Sequence, residues 1–245
     1  MQGQTLTVIV PAFNEEKTIK ASLSRISECL GKSKIEFRII LVIDGSSDDT
    51  YKLAKELQLG NLQIIDLPRN KGKGHAVRTG FKAVNSSDFV GFIDADLDIH
   101  PQGLLVGLSE LQQNPKLSAV VGSKFHPDSS VQYPKLRKLQ SQIFRIFVQA
   151  LFRFDFQDTQ TGLKIFERTA LEEVLELLSV DGFAFDLEIL ARLNRNGKRI
   201  KEIPVQLDYQ FRSTVNIKSA ATSFVDVLEV YRKVKSTHFI RSSRV

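Results

Sequence analysis

The sequence predicts an α/β fold: a mainly parallel central sheet with helices on both faces. Three observations carry this. The first half alternates short β-branched runs with helix-length segments, the pattern of βαβ units. The runs are apolar at nearly every position, as in strands covered on both sides. The polar clusters "PAFNEE", "DGSSDDT" and "DADLD" stand where the first, second and fourth runs end, and ligands of parallel sheets sit at the carboxyl ends of strands.

Taken in order, the strands are "LTVIV" (6–10), "FRIILVI" (37–43), "LQIIDL" (62–67), "FVGFID" (89–94) and "SAVVGS" (118–123). Helices are expected over about 15–30, 49–58, 73–85 and 101–113. In the second half, 134–154 reads as a basic, aromatic-rich helix, "LKIF" (163–166) as a short strand, and about 167–178 as a helix. "FAFDLEILARLNRNG" (183–197) is a helix closed by Gly197, "KRIKEIPVQLDY" (198–209) is extended, and about 219–235 is a final helix. With no internal repeat, low-complexity tract or linker, residues 1–245 read as one domain with an elaborated second half.

The 245 residues are 42% hydrophobic, enough to bury a sizeable core. The single cysteine, Cys29, excludes an internal disulfide and suits a reducing compartment. "MQGQTLTVIVPAF" reads as a first strand rather than a signal peptide. No window approaches the roughly 18 apolar residues of a membrane span, because Arg145 and Arg153 interrupt "IFRIFVQALFRF". A net charge of +6 and a pI near 9.4 admit nucleic acid, an anionic membrane or phosphorylated small molecules as partners, or a plain solvated basic surface.

The chemistry concentrates in "FIDADLDIHP" (92–101). Asp94, Asp96 and Asp98 alternate, and an extended chain turns all three to one side. Such oxygens suit a hard cation, Mg²⁺ or Mn²⁺, completed by phosphate oxygens; the plainer alternative is a polar turn. In "VIDGSSDDT", Asp44 is placed to bond a ribose or base, and Gly45 admits a ligand close to the backbone. The plainer alternative is a strand–turn–helix junction with Ser47 or Asp48 as the helix cap, and both readings can hold together. "NKGKGHAVRTG" (70–80) is a glycine-rich, basic loop opening a helix, either a phosphate cradle or a simple loop, and it is not a Walker A sequence.

"VIVPAFNEE", "VIDGSSDDT", "NKGKGHAVRTG", "FIDADLDIHP", "VVGSKF", "DTQTGLKIF" and "GFAFDLEIL" occur in an order and at intervals that resemble a family-two glycosyltransferase of GT-A fold. Within that family the chain resembles the polyprenyl-phosphate (dolichyl-phosphate) hexose synthases, over roughly residues 5–220. The resemblance implies a nucleotide-sugar half (about 5–123), an acceptor half (about 124–235) and a basic tail (236–245). It implies donor contacts from Pro11, Phe13, Glu15, Asp44 and Lys73, catalytic roles for Asp94 and Asp96 beside the donor, and metal ligation by Asp96 and Asp98. Phe13 stands where relatives commonly have Tyr, and Asp98 where many have Gln, Ser or Gly. For the acceptor phosphate it implies Lys124 (in "GSK", for the family's GSR), Arg137 and Ser141 (in "RKLQS"), and Arg212 and Lys218, which match the ends of R-x-x-G-x-S-K without its internal Gly and Ser.

The implied reaction is an inverting attack of a lipid monophosphate on the anomeric carbon, with Mg²⁺ or Mn²⁺ at the leaving diphosphate. The phosphate is ionised near neutrality and needs no general base, whereas an alcohol acceptor would need one. Asp158, Asp186 and Glu188 are candidates for that base or for orienting the phosphate-binding cations. A UDP-glucose-type donor is favoured over GDP-mannose. The implied partners are a nucleotide sugar, polyprenyl or dolichyl phosphate and the cytoplasmic face of a membrane, not nucleic acid. Contact with the membrane is expected through one face of 136–154, with Ile143, Phe144, Phe147, Leu151 and Phe154, or through a membrane-embedded partner subunit. The competing readings are a transferase acting on the sugar hydroxyl of a soluble or lipid-linked glycan, and a non-catalytic nucleotide-sugar or membrane-surface binding protein.

Overall fold

The computed structural model describes residues 4–96, 98–131, 135–207 and 217–236, with backbone alone at 135–138 and 217–223. The alternation expected from sequence is present as β1 (Thr5–Ala12), α1 (Ile19–Gly31), β2 (Glu36–Asp44), α2 (Thr50–Lys55), β3 (Leu62–Leu67), α3 (Lys73–Lys82), β4 (Phe89–Ile93), α4 (Gln102–Gln113) and β5 (Leu117–Ser123). There follow β6 (Ser130–Val131), α5 (Lys135–Phe152), β7 (Leu163–Glu167), α6 (Arg168–Leu175), α7 (Phe185–Arg195), β8 (Arg199–Pro204), β9 (Gln206–Leu207) and α8 (Ile217–Ser236).

Seven strands form one sheet in the order β3-β2-β1-β4-β7-β5-β8. All neighbours run parallel except β7, which is antiparallel to both β4 and β5. The central strands β1, β2 and β4 are apolar over most of their length because each feeds two cores. Leu6, Val8, Val10, Ile39, Leu41 and Ile43 face one side with Ile19, Leu23, Ile26 and Leu30 of α1 and the leucines of α4. Ile9, Ile40, Val42, Val90 and Phe92 face the other, under α3, α6, α7 and α8. The period of two along each strand thus fills both faces.

Several boundaries differ from the sequence reading. α1 begins at Ile19 rather than about 15, because Asn14 adopts a left-handed conformation (φ 55°) and holds "FNEE" in a loop. α2 ends at Lys55, just before Gln58 at φ 48°. The stretch 198–209 breaks into β8 and β9, and β9 pairs with the unanticipated β6. Gly197, at φ 71°, closes α7 as expected, with the Lys198 N–H bonded back to the Leu193 carbonyl at 3.0 Å.

α5 corrects the expected apolar face. Phe144, Phe147 and Leu151 pack against the core, Phe154 is buried, and the rings of Phe144 and Phe147 meet Phe224 of α8 at 5.8 and 5.0 Å. Four of the five residues expected at a membrane therefore face the protein. The exposed ridge is instead Leu139, Ile143 and Ile146, at spacings of four and three, and Val225 and Leu228 of α8 are exposed as well. Among the described residues no helix is long and apolar enough to cross a membrane.

Candidate active site

The loops after β1 and β2 are knitted together. Pro11 is the last residue but one of β1, whose pairing with β4 stops at Ile9–Phe92, so its missing N–H falls beyond the last β4 pair. Phe13 follows with 48% of its surface exposed, an open aromatic face at the carboxyl end of the sheet. Asn14 donates its N–H to the Ser46 hydroxyl and accepts the Ser47 N–H, each at 2.9 Å. The Glu15 N–H donates to the Thr50 hydroxyl at 2.8 Å, and the Thr18 hydroxyl donates to the Glu15 carboxylate. Asp48 braces the junction by accepting the Glu16 N–H at 3.0 Å and the Thr50 N–H at 3.1 Å.

Asp44 is buried at the end of β2, and its carboxylate accepts the Gly72 N–H at 2.7 Å and the Lys71 N–H at 3.0 Å. Two donors of the "NKGKG" loop, just before α3, are therefore directed at the protein's own carboxylate. Gly45, at φ 65°, admits this same loop: a Cβ there would stand 2.3 Å from the Arg69 carbonyl carbon. The close approach assigned to a ligand at Gly45 is made by the chain itself.

The aspartates after β4 converge through a turn rather than along an extended strand. β4 ends at Ile93, Ala95 and Asp96 turn, and the Asp98 N–H donates to Asp96 Oδ1 at 3.1 Å. The Asp94 N–H bonds the Gly162 carbonyl at 3.0 Å, and a Cβ on Gly162 would lie 1.9 Å from Asp94 Oδ2. Lys73 Nζ pairs with Asp94 Oδ1 at 2.5 Å. Burial alone would depress Lys73, but Asp94 and Asp186 outweigh it and hold the ammonium above its ordinary value. Asp96 presents an exposed edge while its carboxyl is crowded. Desolvation first, then the charges of Asp94 and Asp98, push it up to about 7. Among the described residues no three His, Cys, Asp or Glu side chains form a ready metal cage. One or two carboxylates are what Mg²⁺ ordinarily takes from a protein when phosphate oxygens complete its shell, and the crowded Asp96 is the kind of oxygen donor it relieves.

Lys124, just past β5, is organised by Asp158. Asp158 accepts the Lys124 N–H at 2.9 Å, its ammonium at 3.1 Å, the Thr161 N–H at 3.0 Å and the Thr161 hydroxyl at 2.7 Å. Burial opposes the charge, but Lys124 and these donors prevail and keep Asp158 below its ordinary value. Glu188, fully buried, accepts the N–H groups of Ser179 and Val180 at 2.9 Å each and the Arg192 guanidinium at 2.8 Å. Asp186 pairs with the buried Lys164 at 2.8 Å. All three candidate bases are thus bonded internally. Ser141 lies half-buried on α5. Arg212 and the side chains of Arg137 and Lys218 lie outside the described residues.

Sequence reasoning missed Lys164, Thr161 and Gly162. Their signal was a lysine in an otherwise apolar strand and a glycine before it, in "TGLKIF". Neither spacing nor composition says that the strand carrying them lies beside β4.

Fold and site define the class: a GT-A α/β sheet with acidic residues clustered at the carboxyl end of a central strand. The chain belongs to glycosyl transferase family 2, whose model matches residues 7–175. It is 30% identical over 214 residues to a dolichyl-phosphate beta-glucosyltransferase of Dictyostelium discoideum, covering 82% of this chain and 65% of that protein. It is 30% identical over 222 residues to the Saccharomyces cerevisiae protein of the same name, covering 82% and 66%. Glycosyltransferase AglD of Haloferax volcanii is 30% identical over 207 residues, 83% of this chain and 33% of that protein. The chain thus spans less than two thirds of the length of these relatives. Its fold resembles glucosyl-3-phosphoglycerate synthase of Mycobacterium tuberculosis, solved in complex with Mn²⁺, uridine diphosphate and phosphoglyceric acid. The TM-score is 0.74 at 19% identity, over 97% of this chain and 81% of that one.

Proposed function

We propose that the protein is an inverting glycosyltransferase that moves a hexose from a nucleotide sugar, of UDP-glucose type, to a polyprenyl or dolichyl phosphate at a membrane surface. The observation that carries this is the cluster of Asp94, Asp96 and Asp98 against Lys73 at the end of β4, beside the Lys124–Asp158 pair past β5. The names of the relatives supply the direction of the substrate assignment.

The donor diphosphate lies at the aspartate turn, its base near Phe13 and Asp44. Asp96 and Asp98 would hold Mg²⁺ or Mn²⁺, which neutralises charge building on the departing diphosphate. Lys73 keeps Asp94 in place, and Gly162 leaves room for its carboxylate. Lys124, held by Asp158, offers its ammonium to the acceptor phosphate. A phosphate monoester with a second pKa of about 6 attacks without a base. The internal bonding of Asp158, Asp186 and Glu188 fits that acceptor better than an alcohol. Approach to the bilayer uses the exposed Leu139, Ile143 and Ile146 of α5, a helix with basic residues and no acidic ones.

The test is nucleotide release from UDP-glucose and GDP-mannose, with undecaprenyl phosphate, dolichyl phosphate or a glycan as acceptor. Release of UDP only with a lipid phosphate and a divalent cation is expected. Release only with a glycan hydroxyl would replace the acceptor assignment. Tight nucleotide-sugar binding without turnover on any acceptor would favour a binding protein.

A further inference from the structure

Behind the aspartate turn lies a second ionic layer. Lys164 of β7 is fully buried; its Nζ donates to the Thr161 carbonyl at 2.8 Å, lies 2.8 Å from Asp186 Oδ1 and faces the Phe92 ring at 5.2 Å. The Lys73 ammonium faces the same ring at 5.8 Å and the Phe185 ring at 5.9 Å. Phe185 is the residue before Asp186, and its ring lies 5.4 Å from that of Phe92. Two ammoniums and two carboxylates thus surround one buried aromatic pair, Lys73 with Asp94 and Lys164 with Asp186.

We propose that Lys164 is a positioning residue: by holding Asp186 it leaves Lys73 to Asp94, and so fixes the carboxylate at which the nucleotide diphosphate is bound. This rests on the donor assignment above. Asp186 stripped of Lys164 is a buried carboxylate short of its cation, a costly state. Lys73 Nζ stands 5.9 Å from the ring of Phe185, the residue before Asp186, so its charge is already near that carboxylate. Turning toward Asp186 takes Lys73 off Asp94. The reverse deletion does not act this way. Without Asp186, Lys164 is a surplus buried ammonium that burial already urges to shed its proton, and Lys73 keeps Asp94 as its partner.

The prediction is therefore asymmetric, which a merely structural ion pair would not produce. Lys164→Met and Asp186→Asn should both lower the melting temperature. Titrated with UDP in the presence of Mn²⁺, Lys164→Met should bind about tenfold more weakly or worse, Asp186→Asn should lose distinctly less, and the double variant should return to within about threefold of wild type, a coupling usual for contacting residues. A crystal structure of Lys164→Met should show Lys73 turned from Asp94 to Asp186. Equal losses in the two single variants, no recovery in the double, or Lys73 still on Asp94 would overturn the proposal. Should the wild type bind neither UDP nor GDP, the donor assignment fails; the position of Lys73 in that crystal structure still decides the rearrangement.

Discussion

Gly162→Ala is the sharpest probe of the aspartate turn. Gly162 is not in the left-handed region that excludes alanine, so the substitution adds one methyl and little backbone strain. That methyl would stand 1.9 Å from Asp94 Oδ2 and 2.2 Å from its Cγ. An ordinary carbon–oxygen contact is about 3.3 Å or more, so the carboxylate must retreat by roughly 1.4 Å and leave its 2.5 Å contact with Lys73. Displacements of about 1 Å in a reacting site cost on the order of a hundredfold in rate, or about 2.7 kcal/mol of transition-state stabilisation. Overpacking should cost the fold about 1–3 kcal/mol. Turnover is read as nucleotide release at saturating Mn²⁺, stability by urea unfolding, and UDP affinity by calorimetry. In an Asp94→Ala background the added methyl meets no carboxylate, and affinity should barely change. Turnover within twofold of wild type, or an equal loss of affinity in the Asp94→Ala background, would refute the steric argument.

Three further outcomes follow from the same contacts. The folded Asp96 carboxyl titrates at about 7, far above an unfolded value of about 3.9, so between those values the folded chain holds the extra proton and stability falls as pH rises. Melts of metal-free protein from pH 5 to 8 should show this slope, Asp96→Asn should flatten it, and Mn²⁺ affinity should climb through the same window. Asp158→Asn should cost about 3 kcal/mol in urea unfolding, because it leaves the Lys124 ammonium without its carboxylate; a loss under about 1 kcal/mol would mean that this pair does not hold Lys124. Ile143→Ser with Ile146→Ser should reduce flotation with anionic liposomes at little cost to stability, whereas Phe147→Ser should lower stability by about 3 kcal/mol. Undiminished flotation of the isoleucine variant would remove this ridge from the membrane contact.

The parallel sheet was legible because the runs around Val8, Ile40 and Val90 are apolar on both parities, a signature of burial on two faces. The aspartates and Lys73 were legible as motifs, and they do meet at the end of β4. What sequence could not tell was who satisfies whom. Asp44 reads from sequence as a ribose or base contact, and in the structure its carboxylate accepts the N–H groups of Lys71 and Gly72. On α5, Ile143 and Phe144 are adjacent and similarly apolar. Which of them faces inward depends on Phe224, eighty positions away. The cue at Lys164, a lysine in an otherwise apolar run, points the wrong way, since a lysine within a strand normally marks a solvent edge.

The place of β7 has a consequence for how the chain must come together. β4, which leads into the aspartates, has β1 on one side and β7 on the other, and β5 joins the sheet only through β7 and β8. During synthesis β4 is complete about seventy residues before its second neighbour emerges. Until then it presents a bare edge of unpaired backbone groups, the kind that recruits foreign strands. A fragment ending near residue 123 would carry most of the donor-side residues and still lack the strand that closes the sheet beside them. Long-range closure of this kind folds slowly, so the nascent chain depends on its C-terminal half to shelter the centre of its own sheet.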